Sequence, residues 1–193
     1  MCGRYFIDMD IGGEELEEIV ASLNRRDADG ALKTSGEVFP TDVVPVIALS
    51  RAGRVRPFAM RWGYSLPGGR RVINARSETA DERPMFADGL RSRRCLIPAS
   101  GYYEWLRHDT KGQKYAIRSG RDRTLYMAGV YRFENGSPVF AILTRAPGDP
   151  VAFIHDRMPV ILPREAARDW LNTANDAHRV LRAAVTTVTA TTV

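Results

Sequence analysis

Residues 125–144 carry the stretch LYMAGVYRF-ENGS-PVFAILT, which decides the fold class. Two apolar segments, residues 125–133 and 139–144, flank a Glu-Asn-Gly-Ser segment. Asn-Gly between two such segments is a strong β-hairpin signal, because both residues tolerate the positive φ of a tight turn. The stretch therefore predicts two antiparallel strands joined by a short turn.

The same pattern continues on both sides of this hairpin. Strands are predicted at residues 43–49, 54–62, 95–97, 102–106 and 114–118. Helices are predicted at residues 13–23, 163–171 and 176–182, and residues 185–193 form either a last strand or a frayed end. Pro45 suggests an edge strand or a bulge, because proline cannot donate to a sheet ladder. We expect one α+β domain over residues 1–193, with a mostly antiparallel, barrel-like meander and a few flanking helices.

Composition excludes several classes of protein. The 193 residues are 44% hydrophobic and 26% charged, as in an ordinary globular domain. No apolar stretch approaches the roughly 20 residues that span a bilayer. The first residues lack a cationic segment followed by an apolar run, so we expect a cytoplasmic protein without a membrane role and with two free thiols, Cys2 and Cys95.

Cofactor motifs are missing from the sequence. There is no GxGxxG after a strand and no GxxxxGK[ST], and the three histidines lack zinc-ligand spacing to either cysteine. We therefore expect no metal and no cofactor. The formal net charge is +5 and the isoelectric point is about 9.5, which favours a polyanionic partner if the charge gathers on one face. The sequence does not indicate an oligomeric state.

Cys2 has a chemistry that no internal cysteine has. Initiator Met followed by a small residue is commonly removed, and its loss leaves Cys2 as residue one. Its α-amine, with a pKa of roughly 7.7–8.0, then stands beside a thiol with a pKa of about 8.5. An aldehyde condenses with such an amine to a Schiff base, and the thiol closes on the imine carbon to a thiazolidine.

Four segments connect Cys2 to a known family. They are MCGRY at residues 1–5, NARSET at 74–79, RRCLIPASGYYEW at 93–105 and HDRMPVIL at 155–162. In this order they resemble the SOS-response-associated peptidase (SRAP) family, whose members process abasic sites in DNA. The resemblance extends over most of the chain.

The resemblance implies that Cys2 is the nucleophile and that Asn74, Glu104 and His155 surround it. Glu104, if partly buried, suits proton transfer with the amine or thiol. His155 suits proton donation to the sugar ring oxygen during ring opening. Asn74 offers both a donor and an acceptor to orient the amine and the sugar.

Three further residues are candidates for DNA binding. Arg4 and Arg76 suit phosphate contacts, because a guanidinium binds phosphate oxygens bidentately. Trp62 is either a stacking platform for a base or a core residue, whereas Trp105 suggests core packing. Family members usually carry a second Trp in the segment matching WGYSLPGG at residues 62–69, and this chain lacks it.

The leading hypothesis is a protein of the DNA-damage (SOS) response that binds single-stranded DNA. It captures the abasic-site aldehyde through mature Cys2 as a covalent DNA–protein cross-link, with a lyase outcome if ring closure fails. One alternative is an N-terminal-nucleophile cysteine peptidase, limited in the narrowest case to removal of its own Met1. Another is a non-catalytic single-stranded DNA-binding module. A Cys95 thiol in an apolar segment is expected to be buried and structural.

Overall fold

A computed structural model describes residues 2–23, 32–107, 112–120 and 122–193. Within these residues the strands are β1 Arg4–Ile7, β2 Gly36–Val38, β3 Val43–Leu49, β4 Val55–Trp62, β5 Tyr64–Ser65, β6 Arg71–Val72, β7 Asn74–Arg76, β8 Arg94–Ala99, β9 Gly101–Trp105, β10 Lys114–Ser119, β11 Leu125–Glu134, β12 Ser137–Arg145, β13 Met158–Pro159, β14 Ile161–Leu162 and β15 Val188–Thr192. The helices are α1 Met9–Ala21, α2 Pro84–Ser92, α3 Asp149–Ala152, α4 Arg164–Leu171 and α5 Ala177–Leu181.

Five strands close into a barrel. Antiparallel pairs join β4 to β3, β3 to β8, β8 to β11 and β11 to β12. The ring closes through a short parallel pairing of β12 with β4, at Val139 with Arg61 and Phe140 with Trp62. Closure leaves these strands with few free edges. The α+β class and the antiparallel barrel predicted from the sequence are confirmed.

The β11–β12 hairpin has the predicted form. Its strands pair from Gly129 with Ile142 to Glu134 with Ser137, and Asn135 takes a positive φ of 50° in the turn. The second half of β12 then pairs in parallel with β7, so that Ile142 lies beside Asn74. The hairpin therefore places a candidate site residue as well as closing the barrel.

A second sheet carries the start of the chain. Its order is β15-β10-β9-β1-β2, and every pairing in it is antiparallel. Tyr5 of β1 lies opposite Tyr102 of β9, and both side chains are buried. Because Cys2 directly precedes β1, this pairing brings Cys2 to the end of β9. The strand predicted at the end of the chain is present as β15.

Several local predictions are wrong. The first helix begins at Met9 rather than at residue 13 and is kinked at Gly13, whose φ is 64°. Helix α2 and strand β1 were not predicted. Pro45 lies in β3, an interior strand, without a bulge. The β3–β8 ladder pairs only Ile47 and Ala48, so the missing N–H of Pro45 falls outside it.

The predicted helices near the end of the chain are confirmed as α4 and α5. Helix α5 begins at an Asp176 cap whose carboxylate accepts from the Arg179 N–H. Helix α4 buries Trp170, whose indole N–H donates to the Cys95 carbonyl at 2.8 Å. No helix in the described ranges is long and apolar enough to cross a bilayer.

Candidate active site

Cys2 and Asn74 are in direct contact. The Asn74 side-chain Nδ2 donates to the Cys2 carbonyl oxygen at 2.8 Å. Asn74 is held by the pairing of β7 with β12, so a rigid strand fixes the position of Cys2. The Asn74 Oδ1 atom is buried and has no hydrogen-bond donor among the described residues. One acceptor therefore remains open beside Cys2.

Glu104 lies on the inner face of β9. Side chains alternate along a strand, so Glu104 shares its face with Tyr102, whose side chain is buried in the same core cluster as Cys2. Glu104 is only 6% exposed. Burial penalises the carboxylate and raises the pKa of Glu104 above its ordinary value. A carboxyl group with a raised pKa is suited to exchange protons near neutral pH.

The Cys2 thiol is held in its neutral form. It is fully buried, and its Sγ lies 3.9 Å from the Arg4 carbonyl oxygen. Burial raises the pKa of the Cys2 thiol well above its ordinary range, and the negative charge of Glu104 raises it further. This electrostatic interaction indicates that the Glu104 carboxylate lies near the Cys2 thiol.

The segment carrying His155 is attached to the end of β9. The Arg107 backbone N–H donates to the Ile154 carbonyl at 3.1 Å, and the Arg107 guanidinium lies 2.9 Å from the Asp156 carboxylate. Ile154 is fully buried, which anchors the segment in the core. His155 is thereby held next to the strand that carries Glu104.

His155 is largely buried and contacts Asp156 and Arg157. Its side chain is 13% exposed, and burial lowers the pKa of His155 below its ordinary value. Its Nδ1 lies 3.1 Å from the Arg157 backbone N–H and 2.8 Å from Asp156 Oδ1. When Nδ1 accepts from Arg157, Nε2 carries the proton and is a donor, whereas the contact with Asp156 Oδ1 needs a proton on Nδ1.

A cluster of cations and aromatic rings adjoins Cys2 on the outer face of the second sheet. The Arg4 guanidinium lies 4.1 Å from the Phe39 ring centroid and 5.1 Å from that of Trp105. The Lys114 ammonium lies 5.7 Å from the Trp105 centroid. Both cations pair with the single carboxylate of Glu37, so the cluster keeps an excess of positive charge.

Sequence reasoning missed most of this cluster and expected Trp105 to pack in the core. That expectation is wrong, because Trp105 alternates with the inward-facing Glu104 and is only half-buried. The strands predicted at residues 102–106 and 114–118 pair as β9 and β10, and this pairing places Lys114 opposite Trp105. Phe39 is 40% exposed at the edge of the cluster.

Arg76 ends β7 and is exposed. It lies beside Thr144 in the β7–β12 pairing, where the Thr144 carbonyl accepts from Arg157 Nη2 at 2.6 Å. Arg157 also forms a two-point contact with Glu78, at 2.8 and 2.7 Å. Because Glu78 balances the charge of Arg157, it is the exposed Arg76 that puts positive charge at the rim near Asn74, on an element different from that which carries Arg4.

Comparisons with known proteins place this chain in a family. The family model of the SOS response associated peptidase (SRAP) matches residues 1–193. The chain belongs to the SRAP family. It is 37% identical over 196 residues to the abasic site processing protein YoaM of Bacillus subtilis, covering 94% of this chain and 84% of YoaM.

Two further matches cover nearly the whole chain or all of it. The abasic site processing protein YoqW of Bacillus subtilis is 34% identical over 189 residues, covering 91% of this chain and 82% of YoqW. A crystal structure of a protein from Bacteroides thetaiotaomicron has a TM-score of 0.78 and 20% identity, covering all of this chain and 92% of that one. That structural likeness supports the fold.

Trp62 is a core residue in this SRAP chain. It is fully buried, its indole N–H donates to the Ile73 carbonyl at 3.0 Å, and its ring contacts Tyr5 with centroids 5.2 Å apart. The stacking role considered from the sequence is therefore wrong for this conformation, because no face of the ring is open to a base. The Cys95 thiol is also fully buried, as expected.

The segment after Trp62 forms the β5–β6 hairpin around a 3-10 turn at Pro67–Gly69. Its aromatic residue, Tyr64, is fully buried against Phe86 and cannot stack on a ligand. The hairpin tip therefore presents no exposed aromatic ring.

Of the seven residues singled out from the sequence, six lie around one end of the second sheet and the adjoining end of β12. Cys2, Asn74 and Glu104 form the centre, His155 is attached beside it, and Arg4 and Arg76 lie on two sides. Met1, whose removal the hypothesis requires, lies outside the described residues.

Proposed function

We propose that this protein processes abasic sites in single-stranded DNA by forming a covalent DNA–protein cross-link through mature Cys2. The observation that carries the proposal is the site around Cys2, where Asn74 binds the Cys2 carbonyl and the buried Glu104 carboxyl couples to the thiol. Relatives named abasic site processing proteins support it.

The reaction needs only the two nucleophiles of mature Cys2. The α-amine adds to C1′ of the ring-opened sugar, and loss of water gives an imine. The thiol sulfur then adds to the imine carbon while its proton passes to nitrogen, which closes a thiazolidine. One aldehyde and one N-terminal cysteine yield the adduct and one water, so no cofactor takes part in the balance.

Side chains of this chain supply the proton transfers. Glu104 accepts a proton from the α-ammonium and returns it to the hydroxyl that leaves as water, a role suited to its raised pKa. Neutral His155 donates to the ring oxygen as the C1′–O4′ bond breaks. The open Asn74 Oδ1 accepts a hydrogen bond from the α-nitrogen or a sugar hydroxyl.

The surroundings of Cys2 suit a single DNA strand. The Arg4–Lys114 cluster offers cations together with the rings of Phe39 and Trp105, the combination that binds phosphates and stacks bases in single-strand-binding proteins. Arg76 supplies a second exposed guanidinium. Binding through these groups weakens as salt concentration rises.

Cleavage of external peptides is less well supported. A peptidase thiol works as an activated thiolate, whereas burial raises the pKa of the Cys2 thiol and favours its neutral form. Self-removal of Met1 remains compatible with a thiol and a carboxyl group at the scissile bond. It is tested by the mass of Glu104→Ala, which keeps Met1 if processing is autocatalytic and loses it if a host aminopeptidase acts.

The decisive experiment combines intact mass with a denaturing gel. Protein shown to lack Met1 is mixed with a single-stranded oligonucleotide bearing one abasic site, beside an undamaged oligonucleotide. A shifted band with wild type and abasic DNA only, absent with Cys2→Ala, is expected. A heat-stable adduct of undiminished yield from Cys2→Ala refutes the mechanism.

Control reactions separate the alternatives. Cys95→Ala removes the other buried thiol and should cross-link like wild type, because Cys95 lies within β8, fully enclosed in the core, and has no α-amine beside its thiol. Salt-sensitive binding without cross-linking, equal for abasic and intact DNA, indicates a binding module instead.

A further inference from the structure

An exposed phenylalanine lies beside His155. The Phe153 side chain is 58% exposed, although Val151, two residues before it, and Ile154, directly after it, are buried. The Ile154 N–H donates to the Val151 carbonyl at 3.0 Å, which closes the turn after α3. The buried neighbours fix the backbone, so the Phe153 ring is held out toward solvent.

The ring lies at the rim of the Cys2 site. Phe153 contacts Tyr115 with ring centroids 5.6 Å apart and planes at 86°. Tyr115 lies directly opposite Glu104 in the β9–β10 ladder, so the two side chains share one face of the sheet. Tyr115 is therefore the cross-strand neighbour of Glu104 and also contacts the exposed Phe153.

The chemistry of this rim suits a nucleobase. An exposed aromatic face binds any base by stacking, without reading its sequence. Tyr115 packs against one side of the Phe153 ring. The nearby Arg107–Asp156 ion pair is charge-balanced, so it adds no preference for a free anion. The Arg4–Lys114 cluster lies on the opposite face of the same sheet, because Trp105 and Lys114 alternate with Glu104 and Tyr115.

We propose that Phe153, supported by Tyr115, stacks on the nucleobase next to the abasic sugar and so positions that sugar at Cys2. This inference rests on the proposed function and deepens it. One strand then has aromatic contacts on both sides of the reactive residue, from Phe153 on one side and from Phe39 and Trp105 on the other.

A thermodynamic cycle between protein and DNA tests the proposal. The probe is a fluorescent single-stranded oligonucleotide with one tetrahydrofuran residue, an abasic analogue that has no aldehyde and cannot cross-link. In two further probes a second tetrahydrofuran replaces the neighbouring nucleotide on the 5′ or the 3′ side. Dissociation constants are measured by anisotropy for wild type and Phe153→Ala.

Phe133→Ala is a matched control. Phe133 is 59% exposed and contacts Tyr131 edge-on at 6.0 Å, but it lies at the far end of β11, beside the β11–β12 turn. Its replacement removes the same side-chain atoms from a similar surface. We expect Phe133→Ala to bind every probe like wild type.

For Phe153→Ala we expect about 5- to 150-fold weaker binding to the probe that retains both neighbours. Removing the base on one side should weaken DNA binding by wild type by a similar factor. It should leave the affinity of Phe153→Ala unchanged, since the ring that stacks on that base is already absent. Equal affinity of Phe153→Ala and wild type for the first probe overturns the proposal. So does a result in which Phe153→Ala and removal of the base weaken binding independently of each other, whichever neighbouring base, 5′ or 3′, is removed.

A cross-linking assay tests covalent capture by Cys2 separately from base stacking by Phe153. At saturating abasic DNA, Phe153→Ala retains Cys2, Asn74 and Glu104 and should still form the adduct. If wild type and Phe153→Ala cross-link while the cycle shows no coupling, the stacking role is wrong and the proposed function stands. If wild type binds the probes with coupling at Phe153 but forms no adduct, the covalent function is wrong.

Discussion

The hydrogen bond from Asn74 to Cys2 makes a sharp test of the site. Asn74→Ala removes the donor that reaches the Cys2 carbonyl at 2.8 Å and leaves that carbonyl without its partner. Losing such a bond in a partly buried place costs about 1–3 kcal/mol. For a chain of 193 residues, each kcal/mol lowers the melting temperature by about 2–4 °C, so the expected fall is about 2–12 °C.

The same change should slow cross-linking. Without Asn74 the segment before β1 loses its side-chain contact with β7, and Cys2 is no longer fixed relative to Glu104. A displacement of about 1 Å of a reacting group can cost about 100-fold in rate. The assay is single-turnover cross-linking at saturating abasic DNA, beside thermal unfolding followed by circular dichroism.

Asn175→Ala supplies the control. The Asn175 Nδ2 also donates to a backbone carbonyl, that of Asp169 at 3.1 Å, but the bond is exposed and remote from Cys2. This variant should unfold close to the wild-type temperature and cross-link at the wild-type rate. If Asn74→Ala behaves like Asn175→Ala in both measurements, Asn74 does not hold Cys2 in the way described here.

Three further predictions concern Glu104, Trp62 and Arg76. Glu104→Gln should lower the cross-linking rate about 10²- to 10⁴-fold and abolish the rise of that rate with pH through the carboxyl pKa. Burial raises the pKa of Glu104 in the folded state, so the free energy of unfolding of the wild type should fall as pH rises from the unfolded to the folded pKa. Calorimetry should find this pH dependence weaker in Glu104→Gln. Trp62→Phe should lower the melting temperature but keep the affinity for single-stranded DNA, whereas Trp105→Ala should lower that affinity with little effect on melting. If Trp62→Phe instead lowers the affinity and leaves melting unchanged, the assignment of Trp62 to the core is wrong. Arg76→Ala should reduce the slope of log affinity against log salt by about 0.7 in anisotropy titrations, and an unchanged slope excludes a phosphate contact.

Strand patterns predicted antiparallel strands because two of the five barrel pairings, β3 with β4 and β11 with β12, join neighbours in sequence. Segments 125–133 and 139–144 pair as a hairpin, and the segments that became β3 and β4 do the same. The parallel pairings of β12 with β4 and β7 carry no local signal, because they join segments distant in sequence. Those pairings close the barrel and position Asn74, so the geometry around Cys2 could not be derived from the sequence.

Some missed features did have a signal. Helix α2 begins with Pro84 at its first position and buries Phe86 and Leu90, four residues apart on one face. Met60 and Trp62 occupy alternate positions of one strand and are both buried, so alternation alone favours a core role for Trp62. The identity of the site residues came from the motifs and not from these patterns.

Alternation in β9 also explains why Glu104 stands out chemically. Its face of the strand otherwise carries buried Tyr102, so an ionisable carboxyl occupies a position that packing alone would give to an apolar side chain. Burying a carboxyl group costs stability. The Asn74 Oδ1 atom is a buried polar atom that the fold leaves without a donor in the described residues. A buried carboxyl group and an open amide oxygen beside one N-terminal cysteine are accounted for if Glu104 exchanges protons with the α-amine of mature Cys2 and that amine or the bound sugar donates to Asn74 Oδ1.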